Sequence, residues 1–375
     1  MNSRRMRVTV ISAAMVAVFV ATILPQSIST PGSSAAAQIS AVEKESLGRL
    51  NVLPADVQDN ISEAPAEDVL DAATVEDRVK NGLIDVSVSP IPIPLPGGLD
   101  HAAAGVGTRN AGFGTIRMRG VPAGASLVSA FLYWGDIGVN AGLNVCFNGN
   151  VIPPARVQIV GTSPQPCWNG AGTFFAYRVD VRTLLAPGIN GDYVVRCLRT
   201  SVANGSCPWT PPVNTLPLSE GATLLVIYSH PSVPLTAQVI LSHGPQFFAI
   251  GNNDYTTLLT LPIPAHSVVK HTRFGADGQV GVTNCGLSSI LSITNERTSL
   301  GPVPGGLTQI KGPGSGFNGD SDWNGDDGQP QNKLWDTQTD VVPGGVIPAG
   351  STAYRVRYAA NGDCIVWVAH VLGVK

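Results

Sequence analysis

The sequence predicts an all-β protein made of one or two β-sandwich units of the jelly-roll kind. Glycine and proline are frequent, at 42 and 29 of 375 residues. Short runs rich in valine, isoleucine, leucine, threonine and tyrosine lie between these turn-forming residues, with no helical run of useful length. Hydrophobic residues make up 43% of the chain and charged residues 13%. This balance argues against a disordered chain and against a nucleic-acid-binding protein.

The first 37 residues have the pattern of a signal peptide. Three arginines among the first seven residues precede an apolar stretch, Val8–Leu24, and Ala35–Ala37 forms a small-residue cleavage site before Gln38. The apolar stretch is near the minimum length of a membrane-spanning helix, so an uncleaved anchor is the alternative. We expect a secreted or cell-surface protein with no membrane segment after cleavage.

Residues 38–82 form an acidic segment that precedes the β-rich part. It contains ten acidic and four basic residues and no tryptophan, tyrosine or phenylalanine. Pro65 near the start and Gly82 at the end bracket one predicted helix. We interpret this segment as a flexible tail or a pro-segment.

The predicted strands occupy most of the remaining chain, divided at the prolines Pro231 and Pro234 into a first unit, 83–230, and a second unit, 231–375. Ala222–Ser229 is apolar throughout, which predicts a strand buried on both faces. The predicted strands are Leu83–Ser89, Phe113–Arg119, Ser126–Trp134, Leu143–Phe147, a partner from Val151, Phe174–Val181, Asp192–Arg199, Ala222–Ser229, Leu235–Ser242, Tyr255–Leu261, Ser267–Phe274, Leu287–Thr294, Leu334–Val342, Thr352–Tyr358 and Cys364–Val374.

Six cysteines in an exported chain predict three disulfides. Six cysteines allow fifteen pairings, and sequence alone does not choose among them. Order and local spacing favour the pairs Cys146–Cys167, Cys197–Cys207 and Cys285–Cys364. Structural zinc is disfavoured because no two cysteines have C-x2-C spacing.

The stretch 320–331, D-S-D-W-N-G-D-D-G-Q-P-Q, resembles a twelve-residue calcium loop, and calcium is the predicted cofactor. Acidic and amide side chains fall at alternate positions, and a glycine occupies position 6. Glutamine replaces the usual glutamate at position 12, so we expect Asp327 or the later Asp336 to supply the missing carboxylate. The candidate metal ligands are Asp320, Asp322, Asn324, Asp326, Asp327 and Gln331.

The alternative for this stretch is a solvated turn, since aspartate, asparagine and glycine favour turns by themselves. The charge distribution favours calcium. Residues 83–375 contain sixteen acids and sixteen bases, and four of those acids lie within 320–327. Crowded carboxylates repel one another unless a cation lies among them. Glycines and prolines on both flanks exclude the helices of an EF-hand.

Three short stretches resemble an uncharacterised extracellular β-module of bacterial surface, adhesin-like proteins. They are A-F-L-Y-W-G at Ala130–Gly135, Y-S-H-P-S-V-P-L at Tyr228–Leu235, and L-W-D-T-Q-T-D-V at Leu334–Val341, the last followed by P-A-G-S-T and N-G-D-C. The resemblance spans most of 83–375 and implies an extracellular β-fold without a reaction. This chain lacks the repeats and the cell-wall sorting signal that such surface proteins often carry.

No catalytic motif is evident in the sequence. Ser321 lacks the Gly-Gly that follows the serine in a trypsin-type G-D-S motif, and the six histidines include no H-E-x-x-H. After residue 82 only Glu220 and Glu296 are glutamates, so a glutamate-based glycosidase pair is open but unsupported.

We therefore expect a secreted, calcium-stabilised β-sandwich protein that acts by binding or structural interaction, with a cell-surface glycan or protein as partner. The alternative is a secreted hydrolase acting on glycan or peptide. Tryptophans in loop-like sequence are candidates for ligand contact. They are Trp168, Trp209 and Trp323.

Overall fold

Antiparallel strands make up nearly all regular structure in the computed structural model. It describes residues 84–87, 97–166, 168, 172–208, 215–248, 252–259, 261–278, 296–318, 322, 334–360 and 364–375. These residues contain no α-helix, only the short 3-10 turns Pro154–Arg156, Arg182–Leu184 and Gly344–Val346. Nor do they include a helix of the length and apolarity needed to cross a membrane. The predicted all-β class is confirmed, while the predicted segments 1–37 and 38–82 lie outside the described residues.

Strands from the first half of the chain form two sheets. Sheet I has five strands in the spatial order β2, β10, β4, β8, β7, and sheet II has four in the order β3, β9, β5, β6. Every neighbouring pair in both sheets is antiparallel. The strands are β2 (Gly98–Gly107), β3 (Gly114–Met118), β4 (Ser126–Gly138), β5 (Cys146–Phe147), β6 (Asn150–Val151), β7 (Gln158–Pro164), β8 (Thr173–Asp180), β9 (Gly191–Arg196) and β10 (Leu218–His230).

Strands from the second half, joined by β1 from the start of the described chain, form two further sheets. Sheet III has the order β1, β11, β18, β13, β16, and sheet IV has the order β12, β17, β14, β15. The strands are β1 (Ile84–Ser87), β11 (Gln238–Phe248), β12 (Asn252–Leu258), β13 (Val268–Asp277), β14 (Arg297–Pro302), β15 (Thr308–Lys311), β16 (Trp335–Pro343), β17 (Ala353–Ala359) and β18 (Ile365–Val374).

Three apolar layers join the four sheets in the order II, I, III, IV. Trp134 and Phe147 belong to the layer between sheets II and I. Tyr133 and Trp335 belong to the layer between sheets I and III, and Trp367 to the layer between sheets III and IV. Sheets I and III are therefore covered on both faces.

Strand sequences follow this layering. In β17, Tyr354, Val356 and Tyr358 are buried and alternate with Arg355 and Arg357, because successive side chains of a strand point to opposite faces. In contrast, twelve of the thirteen residues of β10 are buried. This confirms the prediction that the apolar run within β10 is covered on both sides.

Strand β2 was not predicted, because its sequence, GLDHAAAGVG, lacks the β-branched and aromatic residues typical of strands. Its small residues instead permit close packing between sheets. A Cβ atom at Gly105 would lie 2.2 Å from Thr337 Oγ1 of sheet III. Strands β7, β14 and β15 were also not predicted, and the predicted strand Leu287–Thr294 lies outside the described residues.

The proposed boundary between two units falls between β10 and β11. The two sandwiches, 98–230 and 238–374, lie on either side of it, apart from β1, which pairs with β11. All described residues nevertheless belong to one compact unit, and sheets I and III share a buried layer. The division into separate domains stays a prediction.

Cys146 and Cys197 form a disulfide, with their Cα atoms 5.3 Å apart. The predicted pairs Cys146–Cys167 and Cys197–Cys207 are therefore wrong. The physical reason is sheet topology: β5 and β9 are neighbours, and Cys146 lies opposite Arg196. Cys207 and Cys364 are also disulfide-bonded, while Cys167 and Cys285 lie outside the described residues.

Candidate functional site

Asp322, the one candidate calcium ligand of the stretch 320–331 within the described residues, is fully buried in the C-terminal sandwich. Its Oδ1 accepts a hydrogen bond from Arg273 Nη2 on β13. Its Oδ2 accepts one from Thr298 Oγ1 on β14, at 2.8 Å. Asp322 therefore ties the aspartate-rich stretch to strands of both sheets of this sandwich.

Arg273 also connects Asp322 to the edge strand β16. Its guanidinium donates to Asp340 Oδ2 and to Gln338 Oε1. Strand register explains these contacts, because Arg273 lies opposite Gln338 and the neighbouring His271 lies opposite Asp340. One guanidinium thus serves two buried carboxylates.

Further carboxylates lie in the same region. Asp336 alternates with Gln338 and Asp340 along β16, so all three point to one face of sheet III. Asp336 is paired with Gly275 of β13, and Asp277 lies two residues further along that strand. Glu296 lies just before β14, two residues before the Thr298 that donates to Asp322.

All five carboxylates are at most 1% exposed. In the described part of the C-terminal half, Arg273 is the one arginine or lysine that is buried to the same degree. Neighbouring carboxylates raise each other's pKa unless a positive charge compensates them. The five are Asp277, Glu296, Asp322, Asp336 and Asp340, and we call them the acidic cluster.

Burial raises the pKa of Asp322, an effect that the positive charge of Arg273 opposes. Burial also acts to lower the pKa of Arg273, but Asp322 and Asp340 more than offset it, so its pKa lies above the ordinary value. The arginine therefore stays charged.

Nearby histidines do not balance the acidic cluster. His271 and His370 have ring centroids 5.6 Å apart, and both are fully buried. Burial lowers the pKa of His370 to about 3 and that of His271 well below its ordinary value. Tyr354 lies 3.1 Å from His370 Nε2 through its hydroxyl oxygen. At neutral pH both imidazoles are uncharged.

Within the described residues, no three histidine, cysteine, aspartate or glutamate side chains converge to a preformed metal site. The remaining calcium-ligand candidates lie outside the described residues, so their contribution is not seen here. They are Asp320, Asn324, Asp326, Asp327 and Gln331. Calcium coordination therefore stays a prediction.

Of the tryptophans predicted to contact a ligand, Trp168 is 9% exposed. The Arg109 guanidinium lies over its ring, 4.1 Å from the centroid. Its ring is therefore packed against the protein and offers little surface to a ligand. Trp209 and Trp323 lie outside the described residues.

The two glutamates of the hydrolase alternative lie in different sandwiches. Glu220 is on β10 of sheet I and Glu296 adjoins β14 of sheet IV. Glu220 accepts hydrogen bonds from the Arg109 guanidinium, with Nε at 3.1 Å. The structure does not bring the two together as a catalytic pair.

Part of the acidic cluster had a signal in the sequence. The alternation Asp336, Gln338, Asp340 places three polar side chains on one face of a predicted strand, although most inward positions of a sandwich are apolar. No sequence pattern pointed to Asp277 and Glu296. They come near β16 only because strands that are distant in sequence lie side by side in the fold.

Comparison with known proteins assigns the chain to no family. No protein-family model matches it, and no curated protein matches it. Among solved structures, BuGH86 in complex with neoagarooctaose has a TM-score of 0.22 at 8% identity, covering 78% of this chain. The match spans 34% of the BuGH86 chain, about a third of its length.

The major capsid protein P2 from bacteriophage PM2 has a TM-score of 0.19 at 9% identity, covering 74% of this chain and 98% of that one. Structural similarities this weak support no argument about fold or function. The chain is thus described by its own architecture: an all-β protein of four stacked antiparallel sheets.

Proposed function

We propose that this protein is an exported, calcium-stabilised β-sandwich protein that acts at the cell surface or in the medium by binding or structural interaction. The observation that carries the proposal is the acidic cluster, in which five buried carboxylates accompany one buried arginine. Export is supported by the signal-peptide pattern of residues 1–37.

Calcium fits the chemistry of the acidic cluster. It is a hard cation that takes six to eight oxygen ligands, mainly from carboxylates, carbonyls and amides. The Arg273 contacts occupy Asp322 and Asp340 in part, so these two residues act as anchors in the proposal. Asp277, Asp336 and Glu296 supply negative charge from the sandwich, and the carboxylates of 320–331 complete the oxygen set.

Thermal unfolding of the mature protein tests this proposal. We expect millimolar calcium to raise the melting temperature and EDTA to reverse the rise, whereas equal magnesium gives a smaller shift, because magnesium demands a stricter octahedral geometry. An Asp326→Asn, Asp327→Asn double variant should lose most of the calcium-dependent shift.

Asp136→Asn is the matched control, because Asp136 is a buried carboxylate of the N-terminal sandwich. This variant should retain the calcium-dependent shift even if its stability changes. An identical melt in calcium and in EDTA for the wild-type protein would refute calcium stabilisation.

A further inference from the structure

A second region with unusual features is a concavity of about 480 Å³ at one end of the N-terminal sandwich. One wall is formed by residues 111–113, which follow β2. The other wall is formed by the last residue of β9 and by residues just after it: Arg196, Cys197, Leu198 and Thr200. Its volume is within the range of sites that bind small molecules, roughly 300 to 1,000 Å³.

The two walls are fastened directly to each other and to the sheet. Leu198 N donates to Gly112 O at 3.2 Å, and Gly112 adopts a left-handed φ of 71°. A Cβ atom at this glycine would lie 2.9 Å from Thr200 Cγ2. The Cys146–Cys197 disulfide joins the second wall to β5. The concavity is therefore preformed.

Two ion pairs lie next to the walls, one fully buried and one partly exposed. Arg109, just before the first wall, pairs with Glu220, and both side chains are fully buried. Arg199, which lies between the lining residues Leu198 and Thr200, is 3.4 Å from Asp136 Oδ1. These two pairs fix the chain beside each wall.

The open side of the concavity combines an exposed aromatic ring with an uncompensated positive charge. Phe113 is 53% exposed, and the Arg196 guanidinium lies over its ring, 6.0 Å from the centroid. Within the described chain, Arg196 makes no ion pair with a carboxylate; every ion pair there has other partners. Ala111, Leu198 and Ala203 add apolar side chains to the lining.

We propose that this concavity binds a small organic carboxylate with an apolar body. The apolar body would pack on Phe113 and the lining between the walls, and the carboxylate would pair with Arg196, whose planar guanidinium matches a carboxylate with two parallel hydrogen bonds. This site deepens the binding role proposed above and rests on that role, but it does not depend on calcium.

N-acetyl-phenylalanine is a suitable probe, titrated into isotope-labelled protein and followed by NMR chemical shifts. We expect saturable shifts confined to residues 111–113 and 196–203. N-acetyl-phenylalanine amide, which lacks the charge, and acetate, which lacks the apolar body, should each bind about tenfold more weakly. A peptide ending in phenylalanine distinguishes a chain terminus from a free acid: equal affinity indicates that the site accepts both.

Arg196→Gln and Phe113→Ser should each weaken binding of the probe about tenfold or more. Their matched controls are Arg182→Gln, an exposed arginine, and Val151→Ser, an exposed apolar residue of sheet II. Both controls should bind as the wild type does. Unsaturable shifts, or equal binding by the wild type and Arg196→Gln, would overturn the proposal.

Repeating the titration in EDTA separates this proposal from the calcium proposal. Binding that persists in EDTA supports a site independent of the acidic cluster. Binding that disappears in EDTA while the protein remains folded would contradict the inferred site.

Discussion

The two sandwiches bury charge in different ways. Among side chains at most 1% exposed, the described N-terminal sandwich has one acid, Glu220, and one arginine, Arg109, and the two form an ion pair. By the same measure, the described C-terminal sandwich has the five acids of the acidic cluster and one arginine, Arg273. In the first, one guanidinium serves one carboxylate, whereas in the second Arg273 pairs with both Asp322 and Asp340. The two sandwiches thus compare an arginine that has a single buried partner with an arginine that is shared between two.

The largest effect is expected from removing the central arginine of each sandwich. Arg273→Gln leaves Asp322 and Asp340 buried without their cation and should lower the free energy of unfolding by about 4 kcal/mol. Arg109→Gln should cost less, because it leaves one carboxylate, Glu220, which can take up a proton. Urea unfolding of both variants and the wild type at pH 7 measures the two losses in the free energy of unfolding. Equal losses would break the comparison between the two sandwiches.

The next effect is a pH dependence that belongs to the N-terminal sandwich. Burial raises the pKa of Asp136 to about 7, and Arg199 opposes this only in part. Burial likewise raises the pKa of Glu220 to about 7 against the effect of Arg109. Because the folded-state pKa exceeds the unfolded value, the stability contribution is complete below about pH 4 and is lost as pH rises through about 7.

Asp136→Asn should therefore flatten the stability profile between pH 4 and 7, by up to about 3 kcal/mol. Denaturant midpoints measured across this range provide the test, with Asp254→Asn as a control at an exposed ion pair. A variant profile as steep as that of the wild type would show that Asp136 is already ionised in this range.

A smaller effect is expected at the hydroxyl that holds Asp322. Thr298→Val removes the donor to Asp322 Oδ2 while keeping the side-chain shape, and should cost about 2 kcal/mol. Tyr177→Phe is the counterpart in the N-terminal sandwich, since Tyr177 donates to Asp136 Oδ1 at 3.1 Å. It should cost less, because protonated Asp136 needs this donor less than a carboxylate does. Thermal unfolding at pH 6 compares the two.

The smallest effect is expected at the surface of sheet IV. Arg357 donates two hydrogen bonds to Asp254, one of them at 2.7 Å, but both groups are partly exposed. Solvent screens such pairs, so Arg357→Gln should change the free energy of unfolding by less than about 1 kcal/mol. A loss as large as that of Arg273→Gln would mean that burial is not what distinguishes the ion pairs.

Much of the fold could be predicted from the sequence, because local patterns specify most strands. The apolar run of β10 indicated burial on both faces, and the predicted strand Thr352–Tyr358 matches β17. Strand β2 could not be predicted this way, because its alanines and glycines are explained only by the close approach of sheet III at Thr337.

The candidate site was less accessible to sequence reasoning. Crowded aspartates drew attention to 320–331, and the structure places Asp322 of this stretch in a buried ion pair with Arg273. That pairing, like the Cys146–Cys197 disulfide, depends on which strands are neighbours. Local sequence spacing does not reveal such neighbours. Arg273 and Asp322 are 49 positions apart, and Cys146 and Cys197 are 51 positions apart.

The layer shared by sheets I and III has a consequence for how the chain responds to proteolysis. Leu235, in the turn between β10 and β11, is 81% exposed and is a natural point of cleavage. Cleavage there hydrolyses one peptide bond, but the apolar faces of sheets I and III remain packed against each other. The nicked protein should therefore migrate as a single particle until denatured, and neither half should remain soluble once the two are pulled apart.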